Sequence, residues 1–420
     1  MSLHSRLPAI TLPMVISGAV AVLVGYASSA AIIFQAARAA GADTALTGSW
    51  LGMLGVGMGI TSFGLSLRYR MPILTAWSTP GAAMLATSLN GVSLSDTIGL
   101  FIFTNLLIVI CGVSGVFSKL MRYIPASIAS AMLAGILLHF GLQTFSGLQQ
   151  NLPLCLAMCL SFLLARRWSP RYAVFFTLLT GALVIIVQGQ TSLSGVSWHL
   201  SAPVFISPSI NLPLLLGVGL PYFLVSMASQ NAPGIATLNA HGYPVPVSQV
   251  TTITGAVALL LSPFGGFSVC IAAITAAICM GEDVHPQRNQ RWIAAAIAGL
   301  FYLVTGAFGS AIALLFSTLP PVFIHTVAGL ALLTPLAASL HRCLERPEQR
   351  DTAIVTFLIT ASGVSVAGIG PAFWGMIGGG LCHIMLSRRV VTVHSASTRT
   401  TGYRWKKPFR RKGVGHAVKK

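Results

Sequence analysis

The chain has 420 residues, of which 55% are hydrophobic and only 8% are charged. Soluble domains carry about 25% charged residues, so this composition excludes an ordinary soluble protein, a disordered chain and a disulfide scaffold. Because a spanning helix needs about 20 mainly apolar residues, the length allows roughly a dozen or more spans. The sequence therefore predicts a polytopic membrane protein.

Apolar runs separated by turn residues predict fourteen membrane-spanning segments. In chain order they cover residues 12–36, 46–66, 72–90, 96–117, 125–144, 152–166, 171–188, 212–238, 246–262, 264–280, 291–316, 320–340, 352–367 and 370–387. The first run is expected to be a retained span, because no small-residue cleavage site with soluble sequence follows it. The fold class expected is all-α, with an even number of spans.

Basic residues fall almost entirely on one side of this predicted topology. With the N-terminus in the cytoplasm, 24 of the 25 Lys and Arg residues lie inside, and only Arg38 lies outside. Positive residues accumulate on the cytoplasmic side of membrane proteins, so both termini are predicted to be cytoplasmic. Residues 388–420 hold 11 of these basic residues and no acid. They are predicted to form a cytoplasmic tail near anionic lipid, and nucleic-acid binding is the less favoured interpretation.

Weak internal similarity divides the rest of the chain into two halves. Three groups of small residues recur in the same order at shifts of about 190 to 200 residues; one is Ser78, Ala82, Ala83 and Ala86, which recurs as Ser268, Ala272, Ala273 and Ala276. Each half then holds seven spans, so the second half enters the membrane upside down relative to the first. The predicted domains are residues 1–190 and 212–387, followed by the tail.

The predicted spans contain no ionisable residue at their centres except single histidines. All seven acids map to loops or span ends. Because buried ionisable groups are costly and usually functional, their absence weakens a carboxylate proton relay, a cation site and an acid/base membrane enzyme. No enzymatic activity, cofactor or metal is expected. His139, His325 and His383 are each predicted to be isolated, which leaves a proton-carrying role for one of them open.

The segment MPILTAWSTPG, residues 71–81, predicts a broken span. Pro72 and Pro80 lack a backbone donor and push the preceding residue toward extended geometry. This predicts a strand over residues 73–79 and a half-helix over 80–90, capped by Ser78 or Thr79. The repeat mate is SPFGGFS, residues 262–268, followed by the apolar run 269–279. Paired interruptions at corresponding positions indicate a transporter site.

Two half-helix N-termini that meet near the midplane would direct unpaired N–H groups and positive dipole ends into one cavity. This predicts an anion site between residues 78–81 and 268–270 that needs no lysine or arginine. Trp77 would offer a flat wall to an aromatic ring. The alternative is a Pro/Gly kink with a packed tryptophan.

Polar residues on spans 1 and 8 are further candidates for ligand contact. The runs are YASS at 26–29 and SMASQNAPG at 226–234. Polar side chains inside a membrane must find partners, so they serve either a ligand or helix-to-helix hydrogen bonds. Pro233 is expected to open the backbone beside Gln230 and Asn231.

The runs GYASSAAIIFQAA (25–37), LTAWSTPGAA (74–83), MLAGILL (132–138), MASQNAPGIA (227–236) and SPFGGFSVCIAAITAAIC (262–279) resemble the benzoate/proton symporter (BenE) family. The resemblance extends to about residue 388. It implies the fold of the uracil and sulfate permeases, with a core and a gate domain. In that fold spans 3 and 10 are each a short strand plus a half-helix, and substrate lies between them, against spans 1 and 8. Pro80 and Gly81 are predicted from the half-helix alone. The substrate-binding residues that the resemblance implies are Tyr26, Ser28, Ser29, Trp77, Ser78, Thr79, Gln230, Asn231, Ser268 and Val269.

The resemblance implies a transporter of the bacterial inner membrane that imports an aromatic carboxylate such as benzoate with a proton, by alternating access. Nucleobase permeases use glutamates on spans 8 and 10, and this sequence has none there, which argues against a uracil-like substrate. A uniporter, an anion channel or a permease for another organic anion are the alternatives on the same fold. Fold relatives often dimerise through the gate domain, so a homodimer is one expected assembly.

Overall fold

The computed structural model describes residues 10–116, 126–190, 199–366 and 369–387. These residues form helices joined by short connections, with one two-stranded sheet. The first half contains α1 (Leu12–Ala39), α2 (Thr44–Tyr69), β1 (Thr75–Ala76), α3 (Thr79–Ser88), α4 (Leu94–Ser114), α5 (Ala126–Ser146), α6 (Leu152–Trp168) and α7 (Ala173–Val187). The second half contains α8 (Leu212–Ala240), α9 (Val247–Leu261), β2 (Cys270–Ile271), α10 (Ile274–Ile278), α11 (Trp292–Ala307), α12 (Gly309–Ser317), α13 (Pro321–Leu344), α14 (Arg350–Ala361) and α15 (Pro371–Ser387).

The order of these elements confirms the fourteen predicted segments. Each half has a strand followed by a short helix as its third segment, and the α11–α12 pair, bent by 58°, is segment 11. Within the described residues, seven helices are long and apolar enough to cross a membrane, or eight if the bent pair counts as one. The second half repeats the element order of the first, as predicted for two seven-segment repeats. The boundaries 1–190 and 212–387 stay a prediction, and the tail 388–420 lies outside the described residues.

The helices pack as two groups. The core group consists of α1–α4 and α8–α12, and the gate group consists of α5–α7 and α13–α15. Along the boundary, α1 and α3 of the core group contact α5, α7 and α13 of the gate group. Facing glycines bring the core helices close together: a Cβ added to Gly55 of α2 would lie 2.5 Å from the Cα of Gly306 on α11. The glycine stripe of α2 therefore serves close helix packing.

Segment 3 folds as its prolines predict. The helix α3 begins at Thr79, next to Pro80, and Ser78 is the cap whose Oγ accepts a hydrogen bond from the Gly81 N–H at 3.1 Å. The regular strand covers only Thr75–Ala76, within the predicted extended stretch. A break in mid-membrane is tolerated because protein groups pair the freed backbone.

Segment 10 is a short strand plus a half-helix, as the family resemblance implies, but the half-helix starts later than predicted. Cys270 and Ile271 form the strand, and α10 starts only at Ile274. The physical reason is pairing: Ala272 N–H donates to Leu74 O at 2.9 Å, and the two strands hold each other in register. The prediction of a helix N-terminus at residues 268–270 is therefore wrong.

Candidate binding site between the broken segments

The two strands cross antiparallel and lock segments 3 and 10 together. Thr75 pairs with Ile271, and Ala76 pairs with Cys270. On α2, the Thr61 and Ser62 hydroxyls lie 2.7 and 2.8 Å from the Thr75 hydroxyl. The Thr75 N–H also donates to Ser62 Oγ at 2.9 Å. These buried bonds fix the position from which α3 starts.

Three buried serines join segments 3, 8 and 10 behind the α3 N-terminus. The Ser78 N–H donates to Ser268 Oγ at 2.9 Å, and Ser226 Oγ donates to Ser78 Oγ at 3.2 Å. Gly81 is required here, because an added Cβ would lie 2.6 Å from the Tyr222 ring. Ser78 and Ser268 are fully buried, so the structure brings them together as supports of the half-helix.

The N-terminus of α3 keeps one free backbone donor. Ser78 pairs the Gly81 N–H through its side chain and the Ala82 N–H through its carbonyl at 2.7 Å. Pro80 has no N–H to offer. The Thr79 N–H has no hydrogen bond within the described residues. Together with the dipole of α3, this single N–H forms a small anion-attracting point.

An aromatic group from α1 and segment 3 borders this point. The rings of Tyr26 and Trp77 meet edge to face, with centroids 4.8 Å apart. Trp77 is only 2% exposed, and its Nε1–H donates to Ser29 Oγ at 2.6 Å. Ser28 and Ser29 both donate to the Gly25 carbonyl, at 3.1 and 2.7 Å. The Tyr26 ring is therefore held in place by a buried tryptophan, while its hydroxyl makes no hydrogen bond in the described structure.

On α8, the neighbouring residues Gln230 and Asn231 have different environments. Both lie in a π turn, Met227–Asn231, just before Pro233, which cannot donate to the helix ladder. Asn231 is buried, and its Oδ1 accepts a hydrogen bond from the Ile271 N–H at 2.9 Å. Gln230 is partly exposed and makes no side-chain hydrogen bond within the described residues. Asn231 thus supports β2, whereas Gln230 has a free amide.

Burial therefore divides the twelve predicted site residues. Four are partly exposed, and they come from α1, α3 and α8: Tyr26, Ser28, Thr79 and Gln230. Eight are buried beneath them: Ser29, Trp77, Ser78, Pro80, Gly81, Asn231, Ser268 and Val269.

A second feature was not predicted. A cavity of about 860 Å³ lies between the core and gate groups, and none of the twelve predicted residues lines it. Its polar lining residues include Gln35, Arg38, His139, Gln143 and His325. The prediction that His139 and His325 are isolated is wrong, because α5 and α13 bring both to this one cavity. The only feature of the sequence that pointed to this cavity was Arg38, the single basic residue outside the predicted cytoplasmic face.

Solved structures share the fold of this chain. The structure of SLC26A9 has a TM-score of 0.60 with this chain at 14% identity, covering 91% of this chain and 66% of that one. The transmembrane domain of the cyanobacterial bicarbonate transporter BicA has a TM-score of 0.53 at 14% identity, covering 90% of this chain and 97% of that one. These similarities establish a shared fold.

Sequence comparison identifies the family. The family model described as benzoate membrane transport protein matches residues 9–385, and the chain belongs to this family. Inner membrane protein YdcO of Escherichia coli is 52% identical over 382 residues, which is 91% of this chain and 98% of that protein. The benzoate membrane transport protein of Acinetobacter baylyi is 37% identical over 377 residues, which is 90% of this chain and 95% of that protein. The family resemblance noted in the sequence is thus confirmed, and the chain is a membrane transport protein.

Proposed function

We propose that this protein is a secondary active transporter that imports an aromatic carboxylate such as benzoate, together with a proton, across the bacterial inner membrane. Family membership and the relative named for benzoate transport support the substrate class. The relative named as an inner membrane protein supports the location. Both termini lie in the cytoplasm in this proposal, because that orientation places 24 of 25 basic residues inside.

The substrate site lies at the N-terminus of α3. The observation that carries this proposal is the burial pattern: Tyr26, Ser28, Thr79 and Gln230 stay partly exposed, and Thr79 carries the free N–H. The carboxylate rests against this N–H and the positive end of α3, where a negative charge is favoured without a basic side chain. The Gln230 amide and the Ser28 hydroxyl provide further donors, and the Tyr26 ring flanks the aromatic ring.

The buried residues act as the scaffold of this site. Trp77 and Ser29 hold the Tyr26 ring, while Asn231 holds β2 behind the half-helix. Ser78 and Ser268 fix the start of α3 through the bond at 2.9 Å. Pro80 and Gly81 complete the first turn, and Val269 precedes the paired strand. Such pre-organised donors cost little reorganisation when the anion binds.

Alternating access follows from the division into core and gate groups. The substrate residues belong to the core group, and movement of this group past the gate group would expose them to each side in turn. The proton travels either on the substrate carboxyl group or through a histidine, because the predicted site residues include no acid.

Counterflow and a pH jump in proteoliposomes test the proposed activity. We expect preloaded unlabelled benzoate to drive uptake of labelled benzoate, and an inward proton gradient to drive accumulation above the equilibrium level. Uptake that ignores the proton gradient would refute symport. The lack of an acid in the site favours a uniporter or anion channel as the second candidate, which predicts equilibration without accumulation.

A further inference from the structure

The cavity of about 860 Å³ lies away from the site at α3 and is called the Arg38 cavity here. It is lined by the C-terminal parts of α1, α3, α5, α12 and α14 and by the first turns of α8, α13 and α15. On α1, Gln35 at the cavity lies about 10 Å along the helix from Ser28, at 1.5 Å rise per residue. In the proposed orientation the cavity is on the outer face, directly above the proposed substrate site.

The lining of the Arg38 cavity is positively charged. Arg38 is exposed, and its guanidinium makes no ion pair or hydrogen bond within the described residues. His139 of α5 and His325 of α13 both line the cavity. The lining residues from the other elements carry no titratable group, and no Asp or Glu lines the cavity in the described part of the chain. An anion that enters therefore meets a free guanidinium and two imidazoles, and no repelling carboxylate.

His139 has a hydrogen-bond partner on its own helix. Gln143 lies one turn further along α5, and its Nε2 is 2.9 Å from His139 Nε2. The Gln143 Oε1 is buried and has no hydrogen-bond partner in the described structure. If the amide rotates by half a turn, this oxygen accepts an Nε2–H of the imidazole. The Gln143 amide can therefore pair with His139 Nε2 as a donor or as an acceptor.

The remaining lining suits an aromatic ring. Phe34 of α1 and Phe316 of α12 stack with ring centroids 5.8 Å apart and planes inclined by 29°. Phe140 of α5 lines the opposite, gate side of the cavity. Apolar walls with a few convergent polar groups are typical of small-molecule sites.

We propose that the Arg38 cavity is an outer loading site, at which an aromatic carboxylate binds before it moves to the α3 N-terminus. This inference rests on the proposed function and adds a second site to it. Arg38 attracts and holds the carboxylate, and the ring lies against the phenylalanine wall. The ring N–H groups of His139 and His325 are further donors to the carboxylate.

Uptake of labelled benzoate into right-side-out vesicles tests the role proposed for Arg38. Arg38→Gln is expected to raise KM about fivefold and to leave the maximal rate within about twofold, because loss of one partly solvated charge contact weakens loading only. Wild-type KM is expected to rise with ionic strength, and KM of Arg38→Gln to lose this dependence, since salt screens an exposed charge. Arg38→Lys is expected to restore most of the salt dependence. Arg342→Gln, which alters an exposed arginine at the far end of α13, is the matched control.

The role of the two histidines is tested by removing their ring donors. The double substitution His139→Leu, His325→Leu is expected to raise KM by about threefold or more, because it deletes both ring N–H groups from the cavity lining. Thermal melting of each purified variant establishes that it is folded.

The outcomes separate the two proposals. If wild-type vesicles show no saturable benzoate uptake, both the proposed function and the proposed loading site are refuted. If wild-type uptake is saturable but Arg38→Gln keeps the KM and salt dependence of Arg342→Gln, the loading site alone is refuted. A wild-type KM in the double histidine variant would refute the role of the histidines as donors.

Discussion

Replacement of Ser268 by alanine tests the scaffold that positions α3. The change deletes the Oγ that accepts the Ser78 N–H at 2.9 Å, between two residues that are 0% exposed. A buried N–H without a partner costs about 1–3 kcal/mol, and water has no route to replace the lost hydroxyl at a fully buried position. We therefore expect Ser268→Ala to lower the free energy of unfolding by about 2 kcal/mol.

The same substitution should also weaken substrate binding. Ser78 caps α3, so a displaced Ser78 moves the Thr79 N–H that the carboxylate is proposed to use. Unfolding in mixed micelles of increasing denaturing detergent measures the first effect, and equilibrium binding of labelled benzoate measures the second. Ser114→Ala is the matched control, because Ser114 is exposed and its hydroxyl donates only to carbonyls of its own helix, Ile110 O and Cys111 O. If Ser268→Ala and Ser114→Ala unfold at the same fraction of denaturing detergent, the Ser268 hydroxyl does not stabilise the start of α3 as argued.

Two further pairs of substitutions distinguish residues that stabilise the fold from residues that contact substrate. Asn231→Leu is expected to lower the free energy of unfolding by about 1–3 kcal/mol, because it leaves the buried Ile271 N–H without a partner. Gln230→Ala is expected to change this free energy by less than about 0.5 kcal/mol and to raise KM for benzoate. Equal stability of these two variants would contradict the assignment. Gly55→Ala is expected to destabilise the α2–α11 contact by about 1–3 kcal/mol, since its Cβ would lie 2.5 Å from a facing Cα. Gly64→Ala meets nothing within 4 Å and is expected to be neutral or slightly stabilising in the same denaturation assay.

Local signals in the sequence were sufficient for much of the fold. Pro80, with a serine two residues before it, defines the start of α3 through backbone geometry alone, so the half-helix could be predicted. The count of segments followed from apolar runs and from the placement of basic residues. Both kinds of signal act within one segment or its flanks.

Features that depend on pairing between distant segments could not be predicted from local signals, and the strand of segment 10 was expected only from the family resemblance. Val269, Cys270 and Ile271 form an apolar run compatible with helix or strand, and the strand at Cys270–Ile271 is selected by pairing with β1 about 195 residues earlier. Likewise, Gln230 and Asn231 are neighbours of similar chemistry. Only the packing of α8 against β2 decides which of the two is buried.

The Arg38 cavity shows the same limit. Its basic and histidine residues lie on α1, α5 and α13, and they meet only after the core and gate groups assemble. Each histidine taken alone on an apolar helix gives no indication of the other. The composition of the cavity lining therefore depends on how distant helices pack, and it cannot be read from the type of each residue alone.

Binding of labelled benzoate to purified Thr79→Pro protein tests the central claim most directly. Proline fits the first position of α3, where the preceding Ser78 has φ −80° and ψ 97°, yet it removes the one free N–H. Because a hydrogen bond to a charged group contributes about 1.5–3 kcal/mol, we expect binding to weaken by about tenfold or more. Thr79→Val, which keeps the N–H and loses only the hydroxyl, is expected to bind within about threefold of wild type. Wild-type affinity in the proline variant would contradict the claim that a backbone N–H at the tip of α3 holds the carboxylate.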